Sequence, residues 1–234
     1  MKTKIKPNIW VVIVKDDYTD NLVDLLSTHY NITDQIFIGK NSKAATYSAL
    51  SLLDENTELI GVFGNNTSID WDDLYPDNTY NKKNITKQRV SYSHKLFNMC
   101  SEQGIKMVGF GNGSTYIGLR FGCKLLFNNS DIKTHSTTFI IGEKANDVTF
   151  NVNSNHSVLL YPRDMHYTYY DIRAFSAYYS EVVYHNSVGD IINVGKNFVE
   201  SEIIKFDNAI VFQYDVPKPE ESVIKNLTIQ NILL

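Results

Sequence analysis

The side chains that could act as nucleophiles are few, and each has a structural interpretation. The two cysteines, Cys100 and Cys123, form neither a CxxC redox pair nor a disulfide framework, which is typical of a reducing compartment. Ser114 follows a glycine-rich turn at the start of a predicted helix, where serine commonly caps the backbone. A serine nucleophile needs an adjacent base, and no such base can be named.

The histidines and the overall charge exclude several kinds of ligand. His135, His156, His166 and His185 have spacings that match no zinc motif, so we predict no metal and no cofactor. The net charge is −4 with Lys and Arg scattered, which argues against binding to a phosphate backbone. The apolar run at residues 9–14 is too short for a signal peptide or a membrane span. We therefore expect a cytoplasmic protein that binds neither nucleic acid nor membrane.

The elements that must position any site alternate in the first half of the chain. Short apolar runs and helical patterns follow one another, which predicts βαβ units around a parallel sheet. The runs are residues 9–14, 35–38 and 59–63, and the helical patterns are residues 20–29 and 43–53. Ligands of such sheets bind at the carboxyl ends of strands, so the polar loop after Gly64, residues 65–73, is a candidate site.

The second half of the chain has a different pattern. A helix at residues 87–103 and an apolar run at 105–110 lead into the turn GFGNG and a helix that begins near Ser114. From His135 onward alternating segments predict mostly antiparallel strands: residues 148–152, 157–161, 181–184, 203–206 and 209–214. A last segment spans residues 223–234, and no long linker is visible. We expect one α/β domain over residues 1–234.

Residues 106–125 carry the most informative motif. Their sequence, KMVGFGNGSTYIGLRFGCKL, aligns without gaps to P-[IV]-L-G-I-C-R-G-x-Q-x-[LM]-x-x-x-x-G-G-x-L, a signature of class I glutamine amidotransferases. Four residues fall on fixed positions of that signature: Gly109, Gly113, Gly122 and Leu125. The chain thus resembles this superfamily, and most closely its γ-glutamyl hydrolase branch. The resemblance implies a three-layer flavodoxin-like fold, with a central mostly parallel sheet and antiparallel strands added in the second half.

The resemblance also implies that the catalytic residues are missing. The family's nucleophilic cysteine, held on a strained elbow between strand and helix, corresponds to Gly111. The second family signature, G-[VI]-Q-[FY]-H-P-E, is similar to residues 211–217, VFQYDVP. Gln213 and Tyr214 match it, whereas Asp215 and Pro217 stand where the family has its catalytic His and Glu. Glycine keeps the turn without a thiol, so the triad is expected to be absent at all three positions.

Two weaker similarities outline the rest of the crevice. Residues 62–75 resemble the oxyanion loop and the D-x-D-P-x-L-Y stretch, and residues 152–156, VNSNH, resemble the V-N-S-x-H hairpin. The glutamine that usually follows that hairpin is Val158 here, and the RDxxE helix start survives only as Arg89. The crevice implied by the resemblance is framed by Gly64, Asn65, Gly111, Asn112, Ser154, His156 and Asp215.

Two further features have competing interpretations. Cys123 lies one helix away from the elbow, which predicts a buried structural cysteine. The segment 161–184 is rich in tyrosine, a composition used by sugar-binding, peptide-binding and partner-binding surfaces, although tyrosine is also a good strand residue. Its tyrosines are Tyr161, Tyr167, Tyr169, Tyr170, Tyr178, Tyr179 and Tyr184.

Three hypotheses of function follow from these observations. The first is a non-catalytic relative of the amidotransferases, which binds a protein partner or a small γ-glutamyl-type ligand without turning it over. The second is an active amidotransferase or γ-glutamyl hydrolase with relocated chemistry, in which Asp215 or His156 activates water. The third is a structural or interaction protein that uses the tyrosine-rich segment. The Asn-rich and Ala-poor composition suits a bacterial or phage coding sequence, and a phage protein would act in the host cytoplasm.

Overall fold

The computed structural model describes residues 8–13, 19–37, 57–64, 67, 87–128, 134–140, 148–153, 158–176, 184–186, 190–192, 199–218 and 221–233. The predicted helix at residues 43–53 and nearly all of the loop at residues 65–73 lie outside this part of the chain.

A nine-stranded sheet forms the centre of the described structure. One half is parallel, as the βαβ pattern predicted: β1 (Asn8–Ile13), β2 (Asn31–Phe37), β3 (Thr57–Phe63), β4 (Lys106–Phe110) and β13 (Ala209–Phe212). The other half is antiparallel: β12 (Glu200–Lys205), β9 (Asp171–Ser176), β6 (Thr134–Phe139) and β7 (Val148–Asn153). The strands follow the order β2-β1-β3-β4-β13-β12-β9-β6-β7. The parallel half brings the carboxyl ends of β3, β4 and β13 to one edge.

Four strands of the second half form a separate antiparallel sheet. They are β5 (Lys124–Asn128), β8 (Val158–Tyr161), β10 (Tyr184–His185) and β11 (Ile191–Ile192), in the order β11-β10-β5-β8. The sequence pattern assigned the predicted strand at 157–161 to the central sheet instead. It did the same for the predicted strand at 181–184, of which only Tyr184 lies in the described part of the chain. Alternation shows that a strand has one buried face but does not name its neighbour. Leu125, Phe127 and Leu160 of this second sheet pack against residues of the central sheet.

Helices cover both faces of the central sheet, which gives three layers. Their bounds are α1 (Thr19–Ser27), α2 (Lys87–Gln103), α3 (Asn112–Arg120) and α4 (Ser222–Leu233). One apolar cluster joins α2, α3 and the second sheet to one face, and another joins α1 and α4 to the other face. Met107 belongs to the first cluster and Val108 to the second, because successive side chains of a strand point to opposite faces. In the described part of the chain, no helix is both long and apolar enough to cross a membrane.

Candidate functional site

The glycine turn forms a sharp elbow between β4 and α3. Gly111 has φ 52° and ψ −124°, a backbone conformation that residues with a Cβ rarely adopt. The carbonyl of Gly111 accepts hydrogen bonds from the backbone N–H groups of Ser114 at 3.0 Å and Thr115 at 3.2 Å. The Ser114 hydroxyl donates to the same carbonyl at 2.6 Å, so this serine hydrogen-bonds to the backbone, whereas the N-cap position is Gly111.

Two other glycines of the motif allow the elbow to pack closely. A Cβ on Gly113 would lie 1.9 Å from the carbonyl oxygen of Phe63, so the start of α3 touches the end of β3. A Cβ on Gly109 would lie 3.0 Å from the Gly113 carbonyl group. The start of α3 therefore packs against β3 and β4 through backbone contacts that leave no room for larger residues at Gly109 and Gly113.

The turn after β3 lies beside this elbow. Gly64 is half-buried, and its carbonyl accepts a hydrogen bond from the Thr67 backbone N–H at 3.0 Å. The Thr67 side chain is buried, and its hydroxyl has no hydrogen-bond partner among the described residues. Thr67 is a buried polar residue of this loop that no pattern in the sequence singles out.

The segment after β13 starts level with the elbow. Phe212 of β13 pairs with Phe110 of β4 in a parallel register, so Gln213 and Gly111 both begin at the same edge of the sheet. The buried Gln213 side chain accepts from the Leu160 N–H at 2.7 Å and donates to the Ser201 carbonyl. It therefore ties the second sheet to the central sheet rather than facing a ligand.

Tyr214, Asp215 and Pro217 continue this segment. The buried Tyr214 hydroxyl bonds with the Thr228 hydroxyl at 2.9 Å, and burial raises the pKa of Tyr214 above its ordinary value. Asp215 is half-buried, and Pro217 is buried. Gln213 and Tyr214, the two residues that match the motif, thus have structural roles. Asp215 follows them directly and is ionisable.

The structure brings part of the predicted site together. Gly64, Gly111, Asn112 and Asp215 follow the carboxyl ends of three neighbouring parallel strands, and Asn112 is exposed as the first residue of α3. Asn65, Ser154 and His156 lie outside the described residues, so their part in the crevice stays a prediction.

Neither cysteine lies at the elbow. Cys100 and Cys123 are both buried in the apolar cluster under α2 and α3, and burial raises the pKa of each thiol to about 12. The Cys123 sulfur lies 3.7 Å from the Met165 sulfur, which confirms the prediction that Cys123 is a buried structural residue. Among the residues that the structure describes, no cluster of three or more His, Cys, Asp and Glu side chains could hold a metal ion.

Two buried glutamates near the same edge were missed from the sequence. The Glu200 carboxylate accepts from the Tyr184 hydroxyl at 2.5 Å and from the Ser176 hydroxyl at 3.2 Å, and Glu202 is also buried. Because β12 runs antiparallel to β13, its first residues lie where β13 ends. The available signal in the sequence is a pair of acidic residues directly before the apolar strand predicted at residues 203–206.

Comparison with known proteins shows likeness in structure alone. No protein-family model matches the sequence, and no curated protein matches it. A Thermoplasma acidophilum protein described as part of a GMP synthase superposes with a TM-score of 0.55 at 12% identity, covering 98% of this chain and 94% of that one. A glutamine amidotransferase of Thermotoga maritima has a TM-score of 0.52 at 10% identity, covering 97% and 84%.

A third similar structure is the glutaminase domain of the Trypanosoma brucei CTPS with bound acivicin. Its TM-score is 0.50 at 8% identity, and the match covers 97% of this chain and 93% of that domain. The central sheet, the elbow between β4 and α3 and these three structures lead to one conclusion: the chain has the fold of class I glutamine amidotransferases.

Proposed function

We propose that this chain is a non-catalytic glutamine amidotransferase-like protein, whose crevice binds a γ-glutamyl-type ligand without hydrolysing it. The observation that carries the proposal is Gly111, which has the positive φ of an elbow and no side chain. Covalent amide hydrolysis needs a nucleophile at the point where the substrate carbonyl is held. With glycine there, no acyl-enzyme can form at the elbow.

The other thiols do not replace the missing one. The chain has two cysteines, and both are buried with a pKa raised to about 12, so thiolate is scarce at neutral pH. Asp215 and Pro217 occupy the positions that the resemblance assigns to the base and its orienting carboxylate. These features support binding without turnover.

The crevice nevertheless keeps groups that could hold a ligand. The start of α3 presents backbone N–H groups and the positive end of the helix dipole, which favour an oxygen that carries negative charge. Phe63, the last residue of β3, lies against this helix start, and Gly64 follows it directly. We infer that a glutamyl carbonyl or carboxylate is the chemical group recognised there.

Calorimetric titration with glutamine, glutamate and a γ-glutamyl dipeptide tests this function. The same samples are assayed for ammonia released from glutamine and for the free amino acid released from the dipeptide. We expect saturable binding of at least one ligand and no release above that of the buffer. Gly111→Val should abolish binding by filling the crevice, whereas Gly104→Val, at a glycine with a similar φ of 64° and open surroundings, should not. Sustained release of ammonia or of the free amino acid, or binding that survives Gly111→Val, would contradict the proposal.

A second candidate function is hydrolysis by a relocated base, and Asp215 is the observation that favours it. Its carboxylate follows β13 at the same edge as the elbow and could activate a water molecule. This candidate predicts release of ammonia from glutamine, or of the free amino acid from the dipeptide, that Asp215→Asn abolishes. Release that persists in Asp215→Asn, or no release at all, rules it out.

A further inference from the structure

Three rings form an exposed group on the segment between β8 and β9. Tyr167 is 76% exposed and Tyr169 is 67% exposed, both unusually high for tyrosine. The His166 ring stacks on Tyr167 with centroids 4.6 Å apart, and it meets Tyr169 edge to face at 6.0 Å. We name His166, Tyr167 and Tyr169 the aromatic strip.

The strip is held rigidly although it faces solvent. Tyr167–Tyr169 form one turn of 3-10 helix, in which the Tyr169 N–H donates to the His166 carbonyl at 3.0 Å. The His166 ring nitrogen Nδ1 bonds with the Thr168 hydroxyl at 2.8 Å. On either side, Met165 and Tyr170 pack against the apolar core. A rigid ring pair loses little conformational entropy when it binds a ligand.

Among the side chains that the structure describes, two ion pairs flank the strip. Lys124 contacts Asp164 at 2.6 Å, and Arg173 contacts Asp171 at 2.7 Å. A ligand that is selected by its charge would have to break these pairs. The surroundings therefore favour an uncharged ligand.

The size of the strip points to a small ligand. Two exposed tyrosine rings offer roughly 300 Å² of contact area, whereas a stable protein interface buries about 800 Å² on each partner. The other large apolar residues that are exposed in the described structure lie on other elements: Ile140, Ile191 and Val223. The strip is thus too small for a stable protein interface but matches one or two sugar rings.

We propose that the aromatic strip binds a neutral carbohydrate. A pyranose ring has a face of C–H bonds that packs on the faces of aromatic rings, while its hydroxyl groups remain free to form hydrogen bonds. The Thr168 and tyrosine hydroxyls and the His166 ring supply partners for those groups.

This site is independent of the crevice. The strip immediately precedes Asp171, the first residue of β9. Asp171 lies opposite Lys205 of β12, and Lys205 lies opposite Ile210, so the strip is near the start of β13. The elbow lies at the carboxyl end of the neighbouring β4. The two sites are therefore at opposite edges of the central sheet, and either proposal can fail without the other.

Calorimetric titration of the full chain with linear hexasaccharides tests the proposal. The probes are the β-1,4-glucose, α-1,4-glucose, β-1,4-mannose and β-1,4-galactose oligomers, with a polygalacturonate hexamer as the charged control. We expect at least one neutral oligomer to bind and the charged one to bind more weakly. Tyr167→Ala and Tyr169→Ala should each weaken that binding by about tenfold or more, because each removes a stacking ring.

Matched variants separate stacking from other effects. Tyr167→Phe keeps the ring and should keep the affinity within about threefold, and Ile191→Ala, at a residue 73% exposed on another strand, should change nothing. Absence of binding to every neutral oligomer would overturn the proposal. So would preferential binding of the charged oligomer, or self-association that Tyr167→Ala abolishes, since the strip would then be a contact between copies of the chain.

Discussion

At the residue scale, the chemistry of this fold depends on what stands at position 111. A residue with a Cβ at φ 52° stores about 1–3 kcal/mol of backbone strain, and glycine does not. Replacing cysteine by glycine would therefore remove the nucleophile while relaxing the elbow. The backbone geometry alone would not reveal such a replacement, because the turn would keep its shape.

A cysteine placed at this position should be reactive. In Gly111→Cys the new thiol lies at the N-terminus of α3, where the helix dipole lowers its pKa and favours thiolate. Gly104→Cys is a matched control, since Gly104 also has a positive φ but follows the C-terminus of α2. We expect iodoacetamide to alkylate Cys at position 111 about tenfold faster at pH 7, as measured by mass spectrometry. Equal alkylation rates of the two variants would show that the N-terminus of α3 does not stabilise a thiolate at position 111.

Much of this site could be predicted from single residues, and the limits are physical. Gly109, Gly111 and Gly113 were identified through the family signature that residues 106–125 resemble. The structure explains Gly109 and Gly113 by close backbone contacts and shows a positive φ at Gly111. Glu200 and Thr67 were not identified from the sequence. A polar residue in a strand or loop is ordinarily solvated, and only the folded structure shows that these two side chains are buried. The exposure of Tyr167 was likewise undecided by composition, since tyrosine suits both strands and surfaces.

At the element scale, the elbow depends on close contact between α3 and β3. Gly113→Ala places a Cβ 1.9 Å from the Phe63 carbonyl oxygen, and backbone on both sides cannot easily move. We expect it to lower the free energy of unfolding by about 3 kcal/mol or more, measured by urea denaturation.

Gly118→Ala is the comparison within the same helix. Its Cβ would meet the Leu160 side chain at 2.4 Å, and a leucine can change rotamer. We expect a loss of only about 1 kcal/mol for this variant. If Gly113→Ala were as mild as Gly118→Ala, the contact between helix and strand would not constrain the elbow.

The two sheets are joined by the side chain of Gln213. In Gln213→Leu, the Leu160 N–H and the Ser201 carbonyl lose their buried partner, which should destabilise the fold by about 2–3 kcal/mol. The exposed Gln103→Leu should stay within about 0.5 kcal/mol of the wild type. If Gln213→Leu and Gln103→Leu changed the free energy of unfolding by similar amounts in chemical denaturation, the hydrogen bonds of Gln213 between the two sheets would not contribute to stability.

The order of elements was easier to predict than their partners. The helix at Lys87–Gln103 has the bounds that the pattern predicted, because residues of its buried face, such as Leu96 and Cys100, recur at helical spacing. By contrast, β2 begins at Asn31, four residues before the predicted apolar run, since polar residues lie in a strand when its neighbour supplies the hydrogen bonds. The second sheet was not foreseen for the same reason, because pairing is decided by residues distant in sequence.

At the scale of the whole molecule, both faces of the central sheet are covered by apolar clusters. The two cysteines belong to one cluster and Tyr214 belongs to the other. Burial makes ionisation of these side chains unfavourable in the folded state but not in the unfolded chain. The stability of the entire fold is thereby linked to alkaline pH.

The sign of this linkage follows from the thiols. Each thiol has an ordinary pKa of 9.0 and a folded-state pKa of about 12, so between these values the unfolded chain binds fewer protons than the folded one. Stability is therefore complete below pH 9 and falls as the pH rises towards 12, by at most about 1.4 kcal/mol per pH unit for each thiol. Urea denaturation at several pH values measures this slope. The Cys100→Ala, Cys123→Ala double variant retains Tyr214 and the lysines and should show a shallower decline. An unchanged slope would mean that the thiols ionise equally in both states, and that the cluster under α2 and α3 admits water.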